Sequence, residues 1–160
     1  MDKPATNNSG LPEIASLTVD FLPGFVNDPI TFSLTVYADG MVDYKAKPGY
    51  GLDDLEQHEV TTYTKTIPKA TIDQIVQLLN RNDFFALRER YDDYTVTDMP
   101  YYSIKVTKTS GKGKKVLVYG GHIADESSIN KFYAIYNEII NLSSIKQWLS
   151  LTFGDKNPIA

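Results

Sequence analysis

Residues 31–46 constrain the fold more than any other part of the chain. Apolar and polar residues alternate on both sides of Ala38-Asp39-Gly40, which is the pattern of two strands joined by a tight turn. A two-residue turn would place Lys45 opposite Leu34, whereas a three-residue turn sets apolar residues opposite one another along one face. We therefore predict a three-residue turn with Gly40 in the left-handed conformation. The predicted pairs are Val36 with Val42, Leu34 with Tyr44, and Phe32 with Ala46.

A second hairpin is predicted over residues 102–118, around a tip of Ser110-Gly111-Lys112-Gly113. Alternation on both arms predicts that Ile104 pairs with Val118 and Val106 with Val116, in a register centred on Gly111.

Helical spacing of apolar residues predicts two amphipathic helices, one from Pro68 to about residue 80 and one after residue 125, followed by a short C-terminal helix. The order is strand, hairpin, strand, helix, hairpin, helix. Because strands and helices do not alternate, this order predicts the α+β class. We expect an antiparallel β-sheet built from two hairpins plus flanking strands, with the two main helices packed on one face.

The length of 160 residues suits one domain. We expect a disordered leader over residues 1–13, a single α+β domain over 14–153 and a frayed tail over 154–160. The chain has no cysteine, which excludes disulfides, zinc-thiolate sites, iron–sulfur clusters and a cysteine nucleophile. A net charge of −4 argues against a general nucleic-acid binder, and no apolar run is long enough to span a membrane. No cofactor is expected.

Four tyrosines cluster in and beside the loop at residues 88–100. They are Tyr91, Tyr94, Tyr101 and Tyr102. Tyrosine combines a large apolar ring with a polar tip and suits recognition surfaces, so these residues are candidates for binding. The alternative is that they close an edge of the core.

The second hairpin carries five lysines, with no acid between Asp98 and Asp125. Its binding candidates are Lys108, Lys112 and Lys114, because a basic tip attracts an anionic partner. The alternative is a solvated edge whose lysines prevent strand-to-strand aggregation.

Asp98 precedes Met99-Pro100 and is predicted to fix the turn into the next strand by bonding backbone N–H groups. Two chemical alternatives remain for this region. Asp92, Asp93 and Asp98 supply oxygen ligands for calcium, without the spacing of an EF-hand. Asp98 also pairs with His122 in a hydrolase hypothesis, although no G-x-S-x-G or H-E-x-x-H motif accompanies them.

Several motifs resemble a bacterial family known as domain of unknown function 6438. They are the first hairpin, Asp83-Phe84-Phe85-Ala86-Leu87, Thr97-Asp98-Met99-Pro100 and the Lys114-Lys115-Val116 arm. The family often has a cysteine pair where this chain has Gly24 and Asp28. We expect the loop at residues 23–29 to be held instead by packing of Phe25 and by Pro29. The resemblance implies no known activity, and it suggests an envelope or exported setting, with a cytoplasmic one as the alternative.

These observations predict a non-enzymatic module that recognises a protein or other macromolecule through the tyrosine-rich loop and the basic hairpin. An enzyme of the hydrolase type and an inhibitor or immunity-type protein are the alternatives.

Overall fold

The computed structural model describes residues 13–26, 29–49, 60–92, 96–120 and 126–154. The strands are β1 (Ile14–Leu22), β2 (Ile30–Tyr37), β3 (Met41–Pro48), β4 (Thr61–Thr66), β5 (Arg90–Tyr91), β6 (Tyr101–Lys108) and β7 (Gly113–Tyr119). The helices are α1 (Lys69–Arg81), α2 (Glu126–Leu142) and α3 (Lys146–Phe153), with a 3₁₀ turn at Phe84–Ala86. No helix among the described residues has both the length and the apolar character needed to cross a membrane. The expected leader and tail fall almost entirely outside the described ranges.

The seven strands of the described residues form one sheet in the order β4-β3-β2-β1-β6-β7-β5. Every neighbouring pair is antiparallel except β5, which runs parallel to β7. The predicted α+β class and antiparallel sheet are therefore confirmed. The two-residue strand β5 was not predicted, because two residues are too few for a periodic pattern. β1, the first of the described strands, lies in the middle of the sheet, between the two hairpins.

The helices cover one face of the sheet, which we call the inner face. On this face Tyr102 packs edge-on against Tyr133 and Tyr136 of α2, with ring centroids 5.3 Å apart in both contacts. Phe153 of α3 packs edge-on against Phe32 at 5.9 Å. Alternate strand residues from β1, β2, β3, β6 and β7 fill the core between sheet and helices. The opposite, outer face carries mainly serine, threonine, aspartate and lysine.

The first hairpin has the predicted register, with Val36 opposite Val42 and Leu34 opposite Tyr44. Gly40 has φ +97°, and its N–H donates to the Tyr37 carbonyl at 2.9 Å. The glycine therefore closes a three-residue turn in the left-handed conformation, as predicted.

The predicted register of the second hairpin is wrong by two residues. Ile104 lies opposite Val116, not Val118, and the pairs centre on Ser110, not Gly111. A shift of two leaves the same side chains on the same face, so alternation cannot distinguish the two registers. The turn decides between them. Gly111, at φ +93°, takes the third turn position and its N–H donates to the Lys108 carbonyl, as Gly40 does to Tyr37 in the first hairpin.

Candidate functional site

Two loops meet at one end of the sheet, where β1 ends and β6 begins. They span residues 23–26 and 96–100, and we call them the loop pair. The N–H of Phe25 donates to the carbonyl of Asp98 at 3.0 Å. A Cβ added at Gly24 would lie only 2.2 Å from that carbonyl oxygen, so the first loop reaches the second through a glycine.

The buried side chain of Tyr119, the last residue of β7, holds the second loop in place. Its hydroxyl donates to the Val96 carbonyl at 2.7 Å and accepts from the N–H of Met99 at 3.1 Å. Gly120, the next residue, donates to the carbonyl of Pro100 at 2.7 Å. The loop is therefore fixed at both ends by the end of β7, although it contains no regular structure.

The loop pair carries most of the exposed large apolar side chains of the described residues. Among the described residues, six large apolar side chains are exposed, and four of them lie on these two loops. They are Phe25 at 78%, Val26 at 52%, Val96 at 48% and Met99 at 37%. The expectation that Phe25 packs its loop into place is therefore wrong, because the loop is held by its backbone and by the close approach at Gly24.

The three candidate tyrosines that the structure describes do not form one surface. Tyr101 and Tyr102 are neighbours in β6, so they project from opposite faces of the sheet. Tyr102 packs on the inner face, and burial raises its pKa above the usual value. Tyr91 is 1% exposed and its hydroxyl accepts the N–H of Arg88 at 2.9 Å, so its assignment to a binding surface is wrong. Tyr94 lies outside the described residues.

Tyr101 is the described candidate tyrosine that projects from the outer face. Its ring meets the ring of Tyr119 edge-on, with centroids 5.0 Å apart. Since Tyr101 directly follows Pro100, it joins the loop pair to the outer face of the sheet.

The candidate lysines of the second hairpin have different surroundings. Lys112 is exposed at the turn, whereas Lys114 donates to the carbonyl of Leu87 and Lys108 lies 4.8 Å from the ring centre of Phe85. The side chains of Lys108 and Lys114 therefore contact other parts of the protein, whereas Lys112 is exposed to solvent at the turn.

Lys105 and Lys115, which were not among the named binding candidates, form a pair on the outer face. They are directly opposite each other in β6 and β7, and both are exposed. The N–H of Lys108 donates to the Lys112 carbonyl at 2.7 Å. The even-numbered residues of β6 therefore direct their backbone N–H and carbonyl groups toward β7 and form the hydrogen-bonded pairs. The odd pair Lys105–Lys115 is thus of the non-hydrogen-bonded type, with Cα atoms about 4.5 Å apart, where like charges repel most.

Asp20 lies beside this lysine pair, in the middle of the outer face. The strand registers place Ser33 on one side of it and Ser103 on the other. Burial raises the pKa of the Asp20 carboxyl. Hydrogen bonds with the two serines and the charges of Lys115 and Lys105 act in the opposite direction without reversing the shift. Sequence patterns missed this group because its neighbours come from three strands whose order no local pattern reveals.

Asp98 has a backbone role different from the predicted one. It adopts φ +66°, a conformation that aspartate tolerates better than most residues. Its carbonyl, not its carboxylate, accepts a backbone N–H, and the carboxylate accepts the hydroxyl of Thr97 at 3.5 Å. His122, its partner in the hydrolase hypothesis, lies outside the described residues.

The aspartates considered for calcium binding are not brought together in the described chain. Asp92 accepts from Arg90 in an ion pair of 2.7 Å, while Asp98 is exposed on the loop pair. Asp93 lies outside the described residues. Within the described ranges, no group of three or more acidic, histidine or cysteine side chains is arranged to hold a metal ion.

The fold and the loop pair define an α+β protein whose seven-stranded sheet is covered by helices on one face, with an apolar loop surface at one end. The family model described as a domain of unknown function, DUF6438, matches residues 30–143. The chain therefore belongs to this family, as the motifs of the first hairpin and of residues 83–119 indicated. No curated protein matches the chain.

Proposed function

We propose that this protein is a non-enzymatic interaction module that binds a partner protein through the loop pair. The exposed apolar cluster at Phe25, Val26, Val96 and Met99 is the observation that carries the proposal. Apolar residues gathered on the surface, in place of being scattered singly, are typical of protein interaction sites.

The structure around the loop pair supports binding without a large rearrangement. Tyr119 and the Phe25–Asp98 hydrogen bond restrain the backbone that carries the apolar side chains. Less conformational entropy is then lost when a partner binds, which raises the affinity that a small apolar surface can reach.

The charge of the neighbouring outer face indicates the kind of partner. Tyr101, Ser103 and Lys105 project from the same face of β6, and four residues along a strand span about 13 Å. The Lys105–Lys115 pair therefore lies within the reach of one partner that also covers the loop pair. We propose a partner with an apolar segment next to acidic residues, because such a partner would relieve the repulsion between the two lysines.

Site-specific crosslinking in the native host tests this proposal. A photoreactive phenylalanine analogue at position 25 is expected to capture a distinct protein. The same analogue at Met41, which is 42% exposed on β3, is the matched control. Equal capture from both positions would count against a specific surface.

The affinity of the captured protein for variants then tests the residues. Phe25→Ser combined with Met99→Ser is expected to weaken binding by tenfold or more, and Lys105→Glu with Lys115→Glu to weaken it and remove much of its salt dependence. Met41→Ser should leave binding unchanged. Unaltered affinity in the Phe25 and Met99 double variant would refute the proposed surface.

We also propose that the protein acts in the bacterial envelope or outside the cell, as its family resemblance suggests. Fractionation of the native host with an antibody against the chain tests this location, and recovery in the cytoplasm alone would contradict it.

A further inference from the structure

The two edges of the sheet differ in how well they are protected. One edge is β5, which has only two residues and an exposed arginine. The other edge is β4, a six-residue strand of sequence TTYTKT. A very short edge strand and outward-pointing charges are common protections against strand pairing. β4 is neither very short nor charged on its outward side.

The backbone of β4 presents a regular set of hydrogen-bonding groups to the outside. The N–H of Ile67, just after β4, donates to the Gly40 carbonyl at 2.8 Å. Alternation along an antiparallel ladder then directs Lys65, Tyr63 and Thr61 toward β3. The N–H and carbonyl groups of Thr62, Thr64 and Thr66 are directed away from the sheet, and no described strand lies beyond them.

No protective device is present within β4 itself. The strand contains no proline, and its register with β3 runs without a bulge. Its one charged residue, Lys65, turns its ammonium group to the inner side. There it donates to the Ser144 carbonyl at 2.7 Å and lies 5.3 Å from the ring centre of Trp148. The charge that would normally discourage pairing is thus directed toward α3 instead of the edge.

We propose that β4 pairs with β4 of a second copy, antiparallel about a twofold axis at Thr64, to form one continuous sheet across a homodimer. In this register Thr64 meets Thr64 of the partner, and Thr62 meets Thr66. Threonine pairs of this type stabilise antiparallel strands.

The register is also complementary in charge. Each Lys65 lies opposite a Tyr63 of the partner and not opposite the other Lys65, so no like charges face each other across the axis. A lysine beside a tyrosine ring is a favourable contact. This self-complementarity favours a second copy over an unrelated strand, because a twofold interface must match itself.

An exposed apolar residue extends the same surface. Trp148 of α3 stacks on Tyr63 of β4, with ring centroids 5.4 Å apart. Residues three apart on a helix share a side, so Leu151 is on the side of α3 nearest β4. Leu151 is 63% exposed. A second copy joined at β4 brings the two Leu151 side chains toward the axis, where each loses contact with water.

Sedimentation analysis of the full chain over a range of concentrations tests this dimer. The wild type is expected to approach twice the mass of the 18.0 kDa chain at high concentration. A dissociation constant of about 1 mM corresponds to a binding free energy of only about 4 kcal/mol. A protein that stays monomeric up to that concentration would overturn the proposal. So would amide exchange that shows the N–H groups of Thr62, Thr64 and Thr66 protected in a monomer, because another segment of the chain would then cover the edge.

Charge substitutions at the axis test the register. Thr64→Lys and Thr64→Glu are each expected to be monomeric, because like charges would meet across the axis, and a mixture of the two should dimerise. Asn130→Lys, at an exposed position on α2, is the control and should dimerise like the wild type. A mixture that stays monomeric, or a Thr64→Lys variant that still dimerises, would refute the register.

A proline variant and a leucine variant complete the test. Thr64→Pro removes an N–H that β3 does not use, so a folded monomer is expected. Leu151→Ser should weaken the dimer and leave capture by the loop pair intact, whereas the Phe25 and Met99 variants should dimerise normally. The dimer and the proposed function can therefore fail independently.

Discussion

Gly24 lies against the backbone of Asp98, so closely that a Cβ at position 24 would be 2.2 Å from the Asp98 carbonyl oxygen. This approach joins the loop that follows β1 to the loop that precedes β6. It also bears on the cysteine pair that the family resemblance suggests, since Gly24 occupies one of the two positions assigned to that pair. A cysteine cannot enter here unless the backbone at Asp98 and Met99 moves.

We therefore predict that Gly24→Ala destabilises the protein by about 1–3 kcal/mol, the usual cost of forcing extra atoms into a packed region. Phe25→Ala is the matched control, because its side chain is 78% exposed and contributes little to packing. Urea unfolding measures both. A Gly24→Ala variant as stable as Phe25→Ala would show that the loop pair adapts freely.

Replacing Tyr119 tests the attachment of the second loop. Tyr119→Phe removes the hydrogen bonds to Val96 and Met99, and leaves the Val96 carbonyl and the Met99 N–H without this partner. We expect a loss of about 1–3 kcal/mol and faster amide exchange at Met99. At neutral pH, Tyr133→Phe is the control, since no described residue hydrogen-bonds to the Tyr133 hydroxyl. Unchanged exchange at Met99 would contradict the role given to Tyr119.

Asp20 predicts a dependence of stability on pH. Its pKa in the folded protein is raised, mainly by burial, above the ordinary value of 3.8. Its contribution to stability is therefore fully present below pH 3.8 and is lost as pH rises through the folded pKa. Asp20→Asn lacks this loss, so its stability relative to the wild type should increase from pH 3 to pH 7. A constant difference across that range would refute the shift.

The buried Tyr44 and the partly buried Tyr133 predict a loss of stability in alkali. Burial raises the pKa of Tyr44 and of Tyr133 to about 12. An unfolded chain ionises these groups near pH 10, so stability should fall as pH rises from 10 to 12. Tyr133→Phe should reduce the slope of this fall, measured by urea unfolding at several pH values. A slope equal to that of the wild type would contradict the burial of Tyr133.

Ser143 predicts a stabilising substitution. Its hydroxyl is buried and has no hydrogen-bond partner among the described residues. Such a group costs about 1–3 kcal/mol, so Ser143→Ala should raise the free energy of unfolding. Ser150→Ala, at an exposed position on α3, should change it little. A destabilised Ser143→Ala variant would indicate that the hydroxyl has a partner, such as an internal water molecule.

Local sequence patterns predict a hairpin correctly when both the strand alternation and the turn residues are taken together. Alternation and the need for a left-handed glycine together determined the first hairpin, with Gly40 at the third turn position. In the second hairpin alternation alone allows shifts of two residues, and the left-handed Gly111 at the third turn position selects the observed register. Tyr101 and Tyr102 are adjacent in sequence but do not share a surface, because neighbours in a strand project in opposite directions.

The candidate site depended on information that no local pattern contains. Packing of Phe25 is the sequence-based expectation for the loop at residues 23–29, but a backbone hydrogen bond to Asp98 holds this loop and the ring is exposed. The group around Asp20 requires β1 to lie between β2 and β6. Short hairpins are predictable because their partners are adjacent in sequence, whereas β1 pairs with β6 across most of the chain.

The central position of β1 has a consequence for how the molecule folds. Each hairpin closes a short loop, so each forms from contacts that are close in sequence. Joining the second hairpin to the first requires β1 to meet β6, with Leu17 pairing to Val106. Bringing such distant segments together slows folding. Until β6 arrives, β1 presents an open strand edge on the side away from β2, and an open edge is the part of a sheet most prone to pairing with another chain.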